Sequence, residues 1–203
     1  MKKNIISALS FAAAFFAVQY GMDYYKEYSA VNRASAEIEF IREYVRKNNP
    51  DEPEVLAVQQ AAIKKSEENI NSKATQKEKV QTAAGTFLGF YLVNYRQRTE
   101  YCQNQGVDIT SFTSAFKDSH KNEYAIAVKA VSASPSDVDK LFNMLKPQLV
   151  TVIEQDMEFI ASENRVSLPE ACKLISDNAS ILIPEMHISV MQPLVHSVLM
   201  SGA

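Results

Sequence analysis

Apolar positions recur at steps of three and four along most of the chain, the spacing of helices with one buried face. The first such stripe is Val31, Ala34, Ile38, Ile41 and Val45, on a helix expected from about Tyr20 to Lys47. Glu37, Glu39, Arg42, Glu43, Arg46 and Lys47 flank it as a solvated side. Asn48-Asn49-Pro50 closes it, because proline disfavours helix in the residue before it. A second helix, near Glu54 to Asn69, turns Val55, Val58 and Ala62 inward. The stretch that follows, Lys64 to Lys79, has almost no apolar residues. It is expected as either a solvated extension of that helix or a mobile connector.

Thr75-Gln76-Lys77-Glu78 is a capping box and opens a third helix running to about Asn104, with Gly106 placed to end it. This helix carries the apolar run Ala83 to Val93, with Gly85 and Gly89 spaced to let a neighbour approach closely. The run is too short for a membrane span and reads as the central core helix. Asp108 is placed to cap a fourth helix, with Ile109, Phe112, Phe116, Tyr124, Ala127 and Val131 on or near one face. Ser134-Pro135-Ser136-Asp137 starts a fifth. Its stripe is Val138, Leu141, Leu145, Leu149, Val152, Ile153, Met157 and Ile160, and Pro147 within it predicts a kink or break. Ser167-Leu168-Pro169-Glu170 caps the next helix, Pro184 and Pro193 divide what remains, and Met186 to Met200 reads as a short amphipathic helix. Only Ser180 to Ile183 looks β-like. The expected fold is all-α: an irregular bundle of about six to seven helices in one domain over 22–203, with the polar connector near 64–79.

Residues 1–21 differ in character. Lys2 and Lys3 precede the uncharged run Ile5 to Val18, the pattern of an export signal whose basic end stays in the cytoplasm. No small-residue cleavage site follows closely: after Val18 come Gln19, Tyr20, Gly21, Met22 and Asp23. The segment is therefore expected either to be cleaved or to stay as an inner-membrane anchor through residues 5–21, with Tyr20, Tyr24 and Tyr25 at the outer interface. Both readings place the body in the periplasm or outside the cell.

The two cysteines, Cys102 and Cys172, fit that compartment. An even count in an exported chain predicts one disulfide, here closing a loop of 70 positions. There is no C-x-x-C to support a redox role.

Charge and composition exclude more than they assign. With 46% apolar and 22% charged residues the chain is globular rather than disordered. A net charge of -3 gives no basic surface for nucleic acid, which is therefore excluded as a partner. His120, His187 and His196 are not paired at helical spacing, so neither a metal nor any other cofactor is expected. His120 sits in a polar stretch with Lys117, Asp118 and Lys121. Asp156 and Glu158 are two apart and point in different directions. The most suggestive polar feature is Tyr91, Tyr95 and Arg98, spaced i, i+4, i+7 on the central helix. Tyrosine with arginine is the composition of interface hot spots, although arginine near a helix C-terminus also complements the dipole. The resulting reading is a non-catalytic interaction or accessory protein of the cell envelope with a protein partner. The alternative is a bundle that binds a small apolar ligand or lipid; an enzyme without a recognisable constellation is the third.

Overall fold

A computed structural model describes residues 39–48 and 51–203, and every regular element among them is helical. The leader and its anchor reading, with Val31, Ala34 and Ile38 of the first stripe, lie outside the described residues. Residues 39–48 are helical and bury Ile41 and Val45. Ten helices follow, more than the six to seven expected. They are α1 (Glu54–Asn71), α2 (Gln76–Leu92), α3 (Arg98–Asn104), α4 (Thr110–Ser119), α5 (Lys121–Ala130), α6 (Pro135–Asn164), α7 (Leu168–Asp177), α8 (Ala179–Glu185), α9 (Ile188–Met191) and α10 (Pro193–Met200). Among the described residues no helix is long and apolar enough to cross a membrane.

The central axis is α2, a π-helical turn over Val93–Gln97, and α3. Thr75 opens it: its hydroxyl accepts from the Glu78 amide, and the Glu78 carboxylate accepts from the Thr75 amide. Gly106 closes it at φ 75°, with the Gly106 amide on the Gln103 carbonyl and the Val107 amide on that of Cys102. This is the Schellman pattern, which needs a left-handed residue where Gly106 stands. Ala83 through Asn94 are buried without interruption, because α1, α5, α10 and the π turn's neighbour α6 surround the axis. An amphipathic stripe would leave one side of this helix wet; the all-apolar run instead accepts cover on every side.

Several expectations change once tertiary contacts enter. The polar stretch 64–79 splits: α1 continues to Asn71, and Ser66 and Ile70 are fully buried. Ser66 meets Thr86 of α2, hydroxyl to hydroxyl, at 3.3 Å, so a polar residue serves as a packing contact. The expected fourth helix breaks at His120 into α4 and α5, which pack against different neighbours, α4 on α8 and α5 on α2. The expected break at Pro147 does not occur, and α6 runs unbroken for 30 residues. Pro147 and Asn143 are both exposed, so the carbonyl that proline leaves without a donor faces water. The buried stripe on the opposite side, Val138 to Ile160, holds the helix together. Ser180 to Ile183 is helical within α8, and Met186 to Met200 is two short helices, because Pro193 restarts the chain as the first residue of α10.

Cys102 of α3 and Cys172 of α7 form the predicted disulfide, with both residues fully buried. A bond of this kind suggests an oxidising compartment.

Candidate functional site

The π turn positions the most unusual group in the core. A turn with one extra residue rotates everything after it by about 100° relative to a regular helix. Tyr91 and Tyr95 stay neighbours across its start, with ring centroids 5.1 Å apart, and Tyr124 of α5 packs 4.8 Å from Tyr91. Arg98, after the turn, is directed inward and is wholly buried. Tyr91 is 4% exposed, and burial pushes its hydroxyl above the ordinary tyrosine range. The i, i+4, i+7 spacing thus brings the two tyrosines together but does not lay Arg98 beside them on an open face.

Arg98 instead anchors a buried polar seam. Its Nη1 lies 2.7 Å from Oδ2 of Asp156 on α6, and neither side chain is exposed. Nη2 donates to Oδ1 of Asn94, and Asn94 in turn donates to the Phe90 carbonyl. Nη1 also lies 3.3 Å from the Met157 sulfur. Burial pushes Asp156 up to about 7 and pulls Arg98 down, in each case against the attraction of the partner. Asp156 was legible in the sequence only as a carboxylate beside Glu158. Nothing in the spacing of residues 98 and 156 links them; their meeting depends on how α6 lies across the axis.

Asp156 also lines a cleft of about 430 Å³ between residues 39–48, α1 and α6. Val55, Val58, Val152 and Phe159 supply apolar wall, while Arg42, Gln155 and the buried Gln59 supply polar groups. Arg42 donates through Nη2 to Oε1 of Gln155 at 2.6 Å. Arg46, also lining the cleft, holds Glu54 with two contacts of 2.9 and 3.0 Å.

A second cluster gathers all three histidines. His120 stands at the break between α4 and α5, fully buried among Phe87, Phe90 and Phe116, rather than on the polar surface its sequence neighbours suggest. Its Nε2 accepts from the Ile188 amide at 3.2 Å, so the proton belongs on Nδ1, which donates to the Phe116 carbonyl at 2.9 Å. Burial lowers its pKa to about 4, and the imidazole is neutral. His187 stacks on it at 4.8 Å and caps α9, accepting at Nδ1 from the Ser189 amide. Nε2 of His187 and of His196 lie 3.5 and 3.3 Å from Oε1 of the nearly buried Glu123. The cluster ties the C-terminal helices to α5. Among the described residues no group of three or more His, Cys, Asp or Glu side chains could hold a metal ion. At two of the imidazoles the nitrogens are already engaged: both of His120 are hydrogen-bonded, and Nδ1 of His187 accepts a hydrogen bond from the Ser189 amide. Sequence spacing could not reveal this cluster, since its members come from three separate elements.

The cleft lining contains no histidine, so the imidazole cluster and the cleft are separate features. No family model matches the chain, and neither the curated proteins nor the solved structures contain a match.

Proposed function

We propose that this chain is an exported, non-catalytic interaction module of the cell envelope that docks a protein partner through its helical surface. The observation that carries the reading is the pair Phe40 and Tyr44. They lie one helical turn apart on residues 39–48 and are 67% and 56% exposed. Large aromatic side chains left in water beside one another mark a contact surface. Arg98 and His120, two of the groups that could do chemistry, are committed to the interior. The buried disulfide supports a periplasmic or secreted location, and the basic, then apolar N-terminus supports export through a signal that is either cleaved or kept as an inner-membrane anchor.

The test is affinity purification of the full chain from the envelope, alongside the double variant Phe40→Ser/Tyr44→Ser. The expected result is a stoichiometric protein partner with the native chain that is lost with the variant, at unchanged melting temperature. A native chain that purifies alone, or a variant that keeps the partner, would refute the reading. Sequencing the mature N-terminus separates a cleaved signal from an anchor: a start downstream of Gly21 excludes the anchor.

A further inference from the structure

We propose that the cleft between residues 39–48, α1 and α6 is a binding site for an amphipathic carboxylate, a medium-length alkyl chain with an anionic head. The volume, about 430 Å³, falls within the range of small-ligand pockets. Val55 and Val58 from α1 face Val152 and Phe159 from α6, and a hydrocarbon tail laid between them leaves water on both sides.

The head group follows from which charges remain unspent. Two of the three carboxylates that line the cleft have close cationic partners: Glu54 is held by Arg46, and Asp156 by Arg98. The third, Glu158, is exposed and hydrated. Arg42 differs. Its side chain is only 13% exposed, and its carboxylate neighbour, the half-exposed Glu39, is 3.7 Å away, beyond a good hydrogen bond. Its short contact is to the neutral Gln155, which uses the amide oxygen and leaves the amide hydrogens to donate. A guanidinium and a primary amide thus stand side by side in a cleft whose apolar wall is Val55, Val58, Val152 and Phe159. Their N–H groups form a donor pair that a carboxylate fits with two charge-assisted hydrogen bonds. At the Arg42 end of the cleft a cationic head would meet a like charge, and Glu158, the one lining carboxylate without a close cationic partner there, is in water. Neither Phe40 nor Tyr44 lines this cleft.

The experiment is titration calorimetry of the full chain with dodecanoate, kept below its micellar concentration, and with dodecyltrimethylammonium as the same tail bearing the opposite charge. Saturable binding of one dodecanoate per chain is expected, with no saturable binding of the cationic amphiphile. Arg42→Gln should weaken dodecanoate binding at least tenfold, and Val58→Phe, which places a ring in the slot, should abolish it. Circular dichroism of each variant checks that the helices remain; should Val58→Phe fail to fold, Arg42→Gln decides. Absence of saturable dodecanoate binding, equal binding of the cation, or undiminished binding by Arg42→Gln would each overturn the assignment.

Discussion

Arg98 and Asp156 meet at 2.7 Å in the core, on elements 58 positions apart in the chain, with no part of either side chain open to solvent. Their mutual attraction must offset the loss of hydration of two charges, and such pairs contribute little net stability while being costly to break. Arg98→Met should therefore destabilise by about 3–5 kcal/mol, because Asp156 is left buried beside an apolar group. The double variant Arg98→Met/Asp156→Leu should recover most of that loss. Urea denaturation of the two variants measures both values, and a double variant as unstable as the single one would show that the seam does more than balance charge.

The stability of the protein should fall in mild acid because of His120. Its folded pKa is lowered to about 4 from 6.5, so the folded state resists the proton that the unfolded state accepts. The stabilisation is fully present above pH 6.5 and is lost as the pH falls toward 4, by about 3 kcal/mol in total. Asp156 acts with the opposite sign. Its folded pKa is raised from 3.8 to about 7, so its contribution is complete below pH 3.8 and is lost as the pH rises through 7. Denaturation curves across pH 4–7 should show His120→Gln losing less stability on acidification than the native chain, and Asp156→Asn losing more. Parallel curves for all three proteins would contradict both assignments.

Pro147 interrupts the hydrogen bonding of α6 without breaking it, on a side open to water. Pro147→Ala should restore one helical bond and stabilise by about 2 kcal/mol, the helix gain being partly offset by a more flexible unfolded chain. A rise in melting temperature checks this; a fall would mean that the proline holds a bend that α6 needs.

The Cys102–Cys172 bond closes a loop of 70 residues between α3 and α7. Replacing both cysteines by alanine should cost about 4 kcal/mol in the chain-entropy account. Both residues are buried, so reduction of the native bond should be slow until the protein opens. The urea midpoint of the double alanine variant, with the rate of thiol release from native protein under reductant, tests these two statements.

Local rules account for what was readable along the chain. Thr75 with Glu78, Ser134 with Asp137 and Ser167 with Glu170 cap their helices as expected, because each cap needs only residues three apart. Gly106 takes a positive φ for the same local reason. The candidate site was hardly readable. The spacing of Tyr91, Tyr95 and Arg98 assumes a regular 3.6-residue period, and the π turn at Val93–Gln97 abolishes that regularity. Polarity also misled at Ser66 and His120, which are buried because a partner hydroxyl on another helix and backbone groups at residues 116 and 188 satisfy them.

The sequence alone determined the helical class, the buried stripe of α6, the N-cap residues Thr75, Ser134 and Ser167 and the pairing of the only two cysteines, because short-range periodicity, caps and an even count are local or combinatorial facts. Tertiary structure decided that Arg98 finds Asp156, that three scattered imidazoles gather in one cluster with two of them on one carboxylate, that Pro147 is tolerated, and that Arg42 and Gln155 stand together on the wall of a cleft. These outcomes depend on which helices lie side by side. That choice comes from burying the whole apolar surface at once, a sum over distant residues that no window along the chain contains.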